Sequence, residues 1–385
     1  MNSFEFYNPT RIVFGAGTID TVGEHTAKYG KKALIVTTRG SVKKLGIFDK
    51  VKGSLEAQGI KTVELSGVDP NPRLSTVYEG AEICRKENID VVVAVGGGSV
   101  IDCAKGIAFA AFDDGDIWDF WACKRVAKKG LPIITVLTLS GTGSEMNTNC
   151  VITNTDLDQK YSTHYAFSFP KVSIIDPTLH TTVPKYFTGC GMTDTISHVM
   201  EKYFDGTKNT PMQDRIAEGV ILTVIENEGA LENPDDVALR ANLSWAATMA
   251  LNGLNDSGRG SNDYDAHTIE MEASAKYDIA HGAGLAIVHP AWLEFLCKKD
   301  PEKFVQFSKR IFNLEQGNMS DVEFGLAGLK ALKDKFNQWG MPVTLKDAGI
   351  PKEDLETLAY TATQAPEGSY LVKDEIYNVL LSCYE

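Results

Sequence analysis

The chain has 385 residues, of which 43% are hydrophobic and 23% charged, an ordinary globular balance. Its 38 Lys+Arg stand against 51 Asp+Glu, a formal net charge of −13. That excess of acid, with no long Lys/Arg run, leaves room for a local basic patch but argues against a nucleic-acid partner, which requires a concentrated basic surface. The length predicts two domains.

The N-terminal stretch has neither the basic region nor the apolar run of a secretory signal. No segment reaches the roughly 18 apolar residues of a membrane helix, so no membrane partner is expected. The cysteines, at 84, 103, 123, 150, 190, 297 and 383, form no C-x-x-C pair. A disulfide framework or cysteine zinc site is therefore not expected, and the thiols suit a reducing cytoplasm.

Along the first half, β-branched runs alternate with helical spacing. Residues 33–37, 61–65, 90–95, 133–137 and 172–175 read as strands, and 74–87 and 100–112 as helices. Such alternation predicts a parallel α/β sheet. Beyond Asp176-Pro177 and Pro184 the β-branched runs become scarce, and 192–203, 212–231, 237–254 and 324–338 read as helices. The predicted division is an α/β domain over 1–180 and an all-α domain over 181–385.

Gly96-Gly97-Gly98-Ser99 follows the most apolar strand and opens a helix. Glycines allow close backbone approach, and the N–H groups and dipole of a helix start suit a phosphate. The alternative is a tight turn with no ligand, since the strict G-x-G-x-x-G pattern is missing. Asp102 is either an acid favoured by the dipole or a ligand contact. A second loop of small residues, Thr138-Leu139-Ser140-Gly141-Thr142-Gly143-Ser144-Glu145, follows the strand at 133–137. Two such loops in one parallel sheet can face a single crevice at the carboxyl ends of its strands.

Among the seven histidines, His25, His164, His180 and His289 have no ligand-like spacing and read as structural or surface residues. Asp194 and His198 stand four apart, on one helical face. They could chelate an ion, or simply hydrogen-bond to each other. On one helix the 14-residue gap between His267 and His281 would separate them by roughly 21 Å. The stretch Tyr277 to Gly284 reads instead as a break and restart that can bring both rings together. Three imidazoles and a carboxylate suit Zn or Fe(II).

At these motifs the chain resembles the iron-containing (group III) alcohol dehydrogenase family over essentially its whole length. Within it, the butanol dehydrogenases and NADPH-dependent aldehyde reductases look most alike. The resemblance implies a dehydroquinate synthase-like architecture, with an α/β dinucleotide domain, a helical domain and an active site in the cleft. It implies one divalent metal, Fe2+ or Zn2+, at Asp194, His198, His267 and His281. It assigns Gly97, Gly98, Ser99, Asp102, Thr138, Ser140, Thr142, Asn147, Lys160 and Asn71 to the cofactor, and catalytic roles to His267 and Asp102. Gly40, Ser41 and Lys43 follow the first long strand with no acid among them, which predicts NADP(H) over NAD(H). The expected reaction is hydride transfer between NAD(P)H and an aldehyde or primary alcohol, in a cytoplasmic homodimer. The metal is expected to act as a Lewis acid on the substrate oxygen. The weighed alternative is a lyase of dehydroquinate synthase type, using bound NAD and metal. One departure stands out: Met271 occupies the position where many relatives carry a relay histidine. Water, Glu270 or another group must then move the proton, unless the relay is dispensable.

Overall fold

Strand β4 (Val91–Gly96) is buried along its whole length, as a strand covered on both faces requires. It sits near the middle of a six-stranded sheet of order β1-β8-β5-β4-β2-β3. The neighbours are β1 (Arg11–Phe14), β2 (Lys32–Thr38), β3 (Lys61–Val68), β5 (Ile133–Leu137) and β8 (Val172–Ile175). Every pairing in this sheet is parallel. The computed structural model describes residues 1–260, 264–366 and 370–385.

The parallel α/β sheet and the helical region after it have the predicted fold class. The five predicted strands are β2, β3, β4, β5 and β8. An antiparallel hairpin, β6 (Asn149–Asn154) with β7 (Gln159–His164), is additional. Its apolar run is only Cys150-Val151-Ile152, flanked by polar residues, and β7 is mostly polar, so the pattern is too short to read. Edge strand β1 is too short to show a period.

Packing divides the chain into two units. The first is Tyr7–Val183 together with Asn233–Thr248; the second is Met1–Phe6, Pro184–Glu232 and Met249–Glu385. The sheet unit thus includes a segment that a boundary near 180 assigns to the helical half. The reason is visible in its contacts. Trp245 meets the Phe14 ring edge-on at 5.8 Å, Thr248 Oγ1 donates to Glu145 Oε1 at 2.6 Å, and Ser244 Oγ lies 2.7 Å from His180 Nδ1.

The sheet unit's core joins β2, β4, β5 and β8 to the helix Ile47–Ala57 through Ile35, Val51, Leu55, Val93, Val136 and Ile174. Pairing of Thr37 with Val95 and of Gly96 with Leu137 aligns the carboxyl ends of β2, β4 and β5. The turns leaving these strands therefore emerge along one sheet edge.

The helical unit is built from Lys185–Tyr203, Pro211–Glu226, Asp265–Tyr277, His281–Lys299, Glu302–Ile311, Asp321–Gln338, Leu355–Ala362 and Lys373–Ser382. Ile269, Ile287, Trp292, Leu355, Leu358 and Ile376 form a shared core among four of these helices.

Candidate active site

In the sheet unit, Gly97 caps the helix Gly98–Ala110, which starts directly after β4. A Cβ on Gly98 would lie 2.3 Å from Thr142 Oγ1, and one on Gly97 would lie 3.2 Å from Leu139 Cβ. Glycine is thus what lets the two small-residue loops touch. Thr138 N donates to Gly96 O at 3.0 Å and completes the junction. By position, the first-turn amides of Gly98 and Ser99 have no intrahelical acceptor, the arrangement that suits a phosphate. Ser140 and Thr142 are half-buried in the second loop.

Asp102 lies beneath this junction. Its carboxylate accepts from Ser144 Oγ and from Val151 N at 3.1 Å. Lys105, one turn further on and 0% exposed, donates to Ser144 Oγ at 2.7 Å, Asn147 Oδ1 at 3.1 Å and Asn149 O at 2.7 Å. Its ammonium is 3.9 Å from Asp102 Oδ1. Burial pushes the Asp102 carboxyl up and the Lys105 ammonium down, and each opposes the other's shift. Asn147 also donates to Gly143 O at 2.9 Å, which ties the second loop to the same network. Sequence reasoning named Asp102, Asn147 and the loop that holds Ser144, but missed Lys105. The available signal was Lys105 three residues after Asp102 on a helix with almost no exposed face.

Two other predicted cofactor residues meet each other: Lys160 Nζ donates to Asn71 Oδ1 at 2.8 Å, both side chains being buried. At the end of β2, Gly40 precedes the short helix Ser41–Lys44, and Ser41 Oγ lies 2.8 Å from Thr38 Oγ1. Two nearby cations are paired. Lys43 bridges to Glu64, and Arg39 to Asp69 at 2.9 Å.

In the helical unit, Asp194 and His198 lie on the helix Lys185–Tyr203. His267 lies near the start of Asp265–Tyr277, and His281 opens the helix His281–Lys299. Asp278, with a left-handed φ of 53°, ends the former helix and reverses the chain. Gly282 fixes the approach of the latter, because a Cβ there would fall 2.1 Å from the Cys190 carbonyl oxygen. That carbonyl is one turn before Asp194.

The imidazoles converge on one oxygen. Asp194 Oδ1 is 3.5 Å from His198 Nε2, 3.7 Å from His267 Nε2 and 3.7 Å from His281 Nε2. Ligand atoms of Asp194, His267 and His281 all lie within 4.8 Å of one another. A tetrahedral cation with bonds of about 2.1 Å needs ligand separations of about 3.4 Å. Asp194 Oδ1 and His267 Nε2 are buried without hydrogen-bond partners, which is costly unless a further group satisfies them. The donor set and the orphaned atoms fit a divalent metal.

The electrostatics differ from ring to ring. Burial lowers His198 to about 3 against the pull of Asp194, so its imidazole is a neutral donor. Burial also opposes the Asp194 charge, yet His198, His267 and His281 together hold that carboxyl below its usual range. His267 is raised to about 9 despite burial, because Asp194 and Glu201 favour positive charge there. Glu201, missed in the sequence, accepts from His267 Nδ1 at 2.8 Å. Its signal was a third acidic or basic residue on one face of the helix, three residues after His198. His289, read as structural, is buried, with its ring 6.3 Å from that of His267.

A sequence model described as iron-containing alcohol dehydrogenase matches residues 9–177, and its Fe-containing C-terminal counterpart matches 188–382. NADH-dependent butanol dehydrogenase A of Clostridium acetobutylicum is 42% identical over 96% of this chain and 95% of its own. NADPH-dependent aldehyde reductase YqhD of Escherichia coli is 36% identical over 93% of this chain and 92% of its own. The crystal structure of NADH-dependent butanol dehydrogenase A from Thermotoga maritima superposes with a TM-score of 0.96 at 44% identity, covering 100% of this chain and 99% of that one.

Proposed function

Because this chain belongs to the iron-containing alcohol dehydrogenase family and is an alcohol/aldehyde oxidoreductase, we propose that it reduces short aldehydes to primary alcohols with NAD(P)H at a divalent metal held by Asp194, His198, His267 and His281. The observation that carries this reading is the approach of three Nε2 atoms to the one unpartnered Asp194 oxygen. The lyase alternative has no support among the relatives.

A metal bound there would supply Lewis acidity to the substrate oxygen, and the nicotinamide would supply the hydride. The chain's own residues do the placing. Neutral His198 and ionised Asp194 offer electron pairs at fixed separations. Gly97, Gly98 and Ser99 receive the pyrophosphate at the helix start. Thr138, Ser140 and Thr142 border the cofactor from the second loop, and Asn71 with Lys160 forms its other polar contact. Asp102 holds Ser144 and Val151, which keeps the two loops in register. We assign iron or zinc as the metal on the nitrogen-rich donor set.

NADPH is the proposed preferred cofactor. Its support is the absence of acid at 38–44 and the presence there of Ser41 and Lys43. The ion pairs Lys43–Glu64 and Arg39–Asp69 are partly exposed, so each is worth only about 0–1 kcal/mol and a doubly charged phosphate can displace the acid. Relatives named for NADH stand beside relatives named for NADPH or NADP, which makes the cofactor ratio a sharp test. A homodimer is proposed from the position of β1 at the sheet edge, and a cytoplasmic site from the free cysteines.

The test is a matrix of aldehydes against NADPH and NADH, with metal analysis of the same preparation and light scattering for mass. Butanal turnover that falls on chelation and returns with Fe2+ or Zn2+ is expected. Full activity in verified metal-free protein overturns the metal assignment. A kcat/KM that favours NADH overturns the cofactor assignment alone.

A further inference from the structure

We infer that Glu201 and Glu270 are positioning residues, each holding the Nδ1–H of one imidazole so that its Nε2 lone pair is fixed toward Asp194. This rests on the metal reading above. His267 Nδ1 is 2.8 Å from Glu201 Oε1, and the same oxygen accepts the His267 backbone N–H at 3.1 Å. The second contact fixes the helix start as well as the ring. His281 Nδ1 is bonded to Glu270 Oε2, while Ser274 Oγ holds the other oxygen of that carboxylate. A carboxylate accepts at Nδ1 and so draws the ring proton to that nitrogen, and the neutral ring that metal binding requires then carries its lone pair at Nε2. Both Nε2 atoms then lie 3.7 Å from Asp194 Oδ1.

Burial makes the arrangement binding. The Glu201 side chain is 6% exposed and that of Glu270 is 0%. Neither carboxylate has bulk water as an alternative partner. The fold makes room for one of them at visible cost, since a Cβ at position 284 would lie 2.4 Å from Glu270 Oε1. Gly284 thus admits Glu270 to His281. The third imidazole differs: His198 Nδ1 is buried without a hydrogen-bond partner. Two rings are supported from behind and one is not. A carboxylate behind a ligand imidazole fixes the tautomer and raises ligand basicity, and its loss typically costs about 10–100-fold in metal affinity.

The experiment measures Co2+ and Zn2+ dissociation constants by chelator competition, on full-length wild type and on Glu201→Ala, Glu201→Gln, Glu270→Ala and Glu270→Gln. The Ala variants are expected to bind about 10–100-fold more weakly and to change the visible Co2+ spectrum. The Gln variants keep an acceptor oxygen and are expected to recover part of the loss, within about tenfold of wild type. Circular dichroism confirms folding. If an Ala variant fails to fold, its near-isosteric Gln variant carries the test through a threefold or larger loss. Affinities within twofold of wild type in all folded variants, with an unchanged spectrum, overturn the positioning role alone. A wild type that binds neither metal overturns the metal reading, and this inference with it.

Discussion

Lys105→Met removes a buried charge while keeping most of the side-chain volume. Lys105 is 0% exposed and donates to Ser144, Asn147 and the Asn149 carbonyl at 2.7, 3.1 and 2.7 Å. The substitution removes the Lys105 donor from Asn149 O, and a buried acceptor left unpaired costs about 1–3 kcal/mol, whereas Asn147 Oδ1 keeps the Asn149 N–H at 2.9 Å. It also leaves Asp102, 3.9 Å away, without its cation, and breaking a buried pair from one side costs about 3–5 kcal/mol. These contributions share the same atoms and overlap. The expected loss is about 4 kcal/mol, a large part of the roughly 5–15 kcal/mol that a native fold holds. Urea unfolding followed through buried Trp121, whose Nε1 donates to Cys150 O at 2.8 Å, reports on this unit. Adding Asp102→Asn removes the stranded charge, so the double variant should be more stable than Lys105→Met alone by about 1–2 kcal/mol. A loss under about 1 kcal/mol for the single variant, or no recovery in the double, would refute the reasoning that the pair is electrostatically coupled.

Gly98→Ala forces a Cβ to within 2.3 Å of Thr142 Oγ1. An overpacking cost of about 1–3 kcal/mol is expected, and fluorescence titration should show NADPH binding about tenfold or more weaker. Gly282→Ala drives a Cβ onto the Cys190 carbonyl at 2.1 Å. Its expected effect is loss of metal, read by elemental analysis, with NADPH affinity retained. His180 is held by Leu137 O at 3.0 Å and Ser244 Oγ at 2.7 Å, and burial lowers it from 6.5 to about 4. Its depressed value makes neutral His180 stabilising above pH about 6.5, with that contribution lost as pH falls through about 4, about 3 kcal/mol in full. The urea-midpoint advantage of wild type over His180→Asn should therefore shrink between pH 7.5 and 4, and a constant difference would contradict it.

The parts legible in the sequence were those with a local signature. Apolar runs located β2, β4 and β5 because strands buried on both faces need no polar alternation. The two small-residue loops were legible because close backbone contact admits few residue types, as the overlap at Gly98 shows. Less was legible where the partner is remote in sequence. The helix face shared with Asp194 and His198 marks Glu201, but it does not name its partner, a histidine 66 residues away. The hairpin β6–β7 was hidden because its apolar run is only three residues long, Cys150 to Ile152, and Asn233–Thr248 because helical periodicity does not say which unit a helix packs on. The break between His267 and His281 was readable, but the reason for the close approach lies at Gly282 and the Cys190 carbonyl.

Those distant contacts also bear on the proton route. Met271 cannot carry a proton, which leaves Glu270 or water among the named replacements. Glu270 is 0% exposed, with one oxygen bonded to His281 and the other to Ser274. A carboxylate that gave up its place to move a proton would release the His281 ring and strand a buried hydroxyl. The residue is therefore committed to holding the imidazole, and its neighbour at 271 supplies only an apolar wall, 7% exposed. Of the named replacements, Glu270 is thus the one whose use would cost the His281 contact.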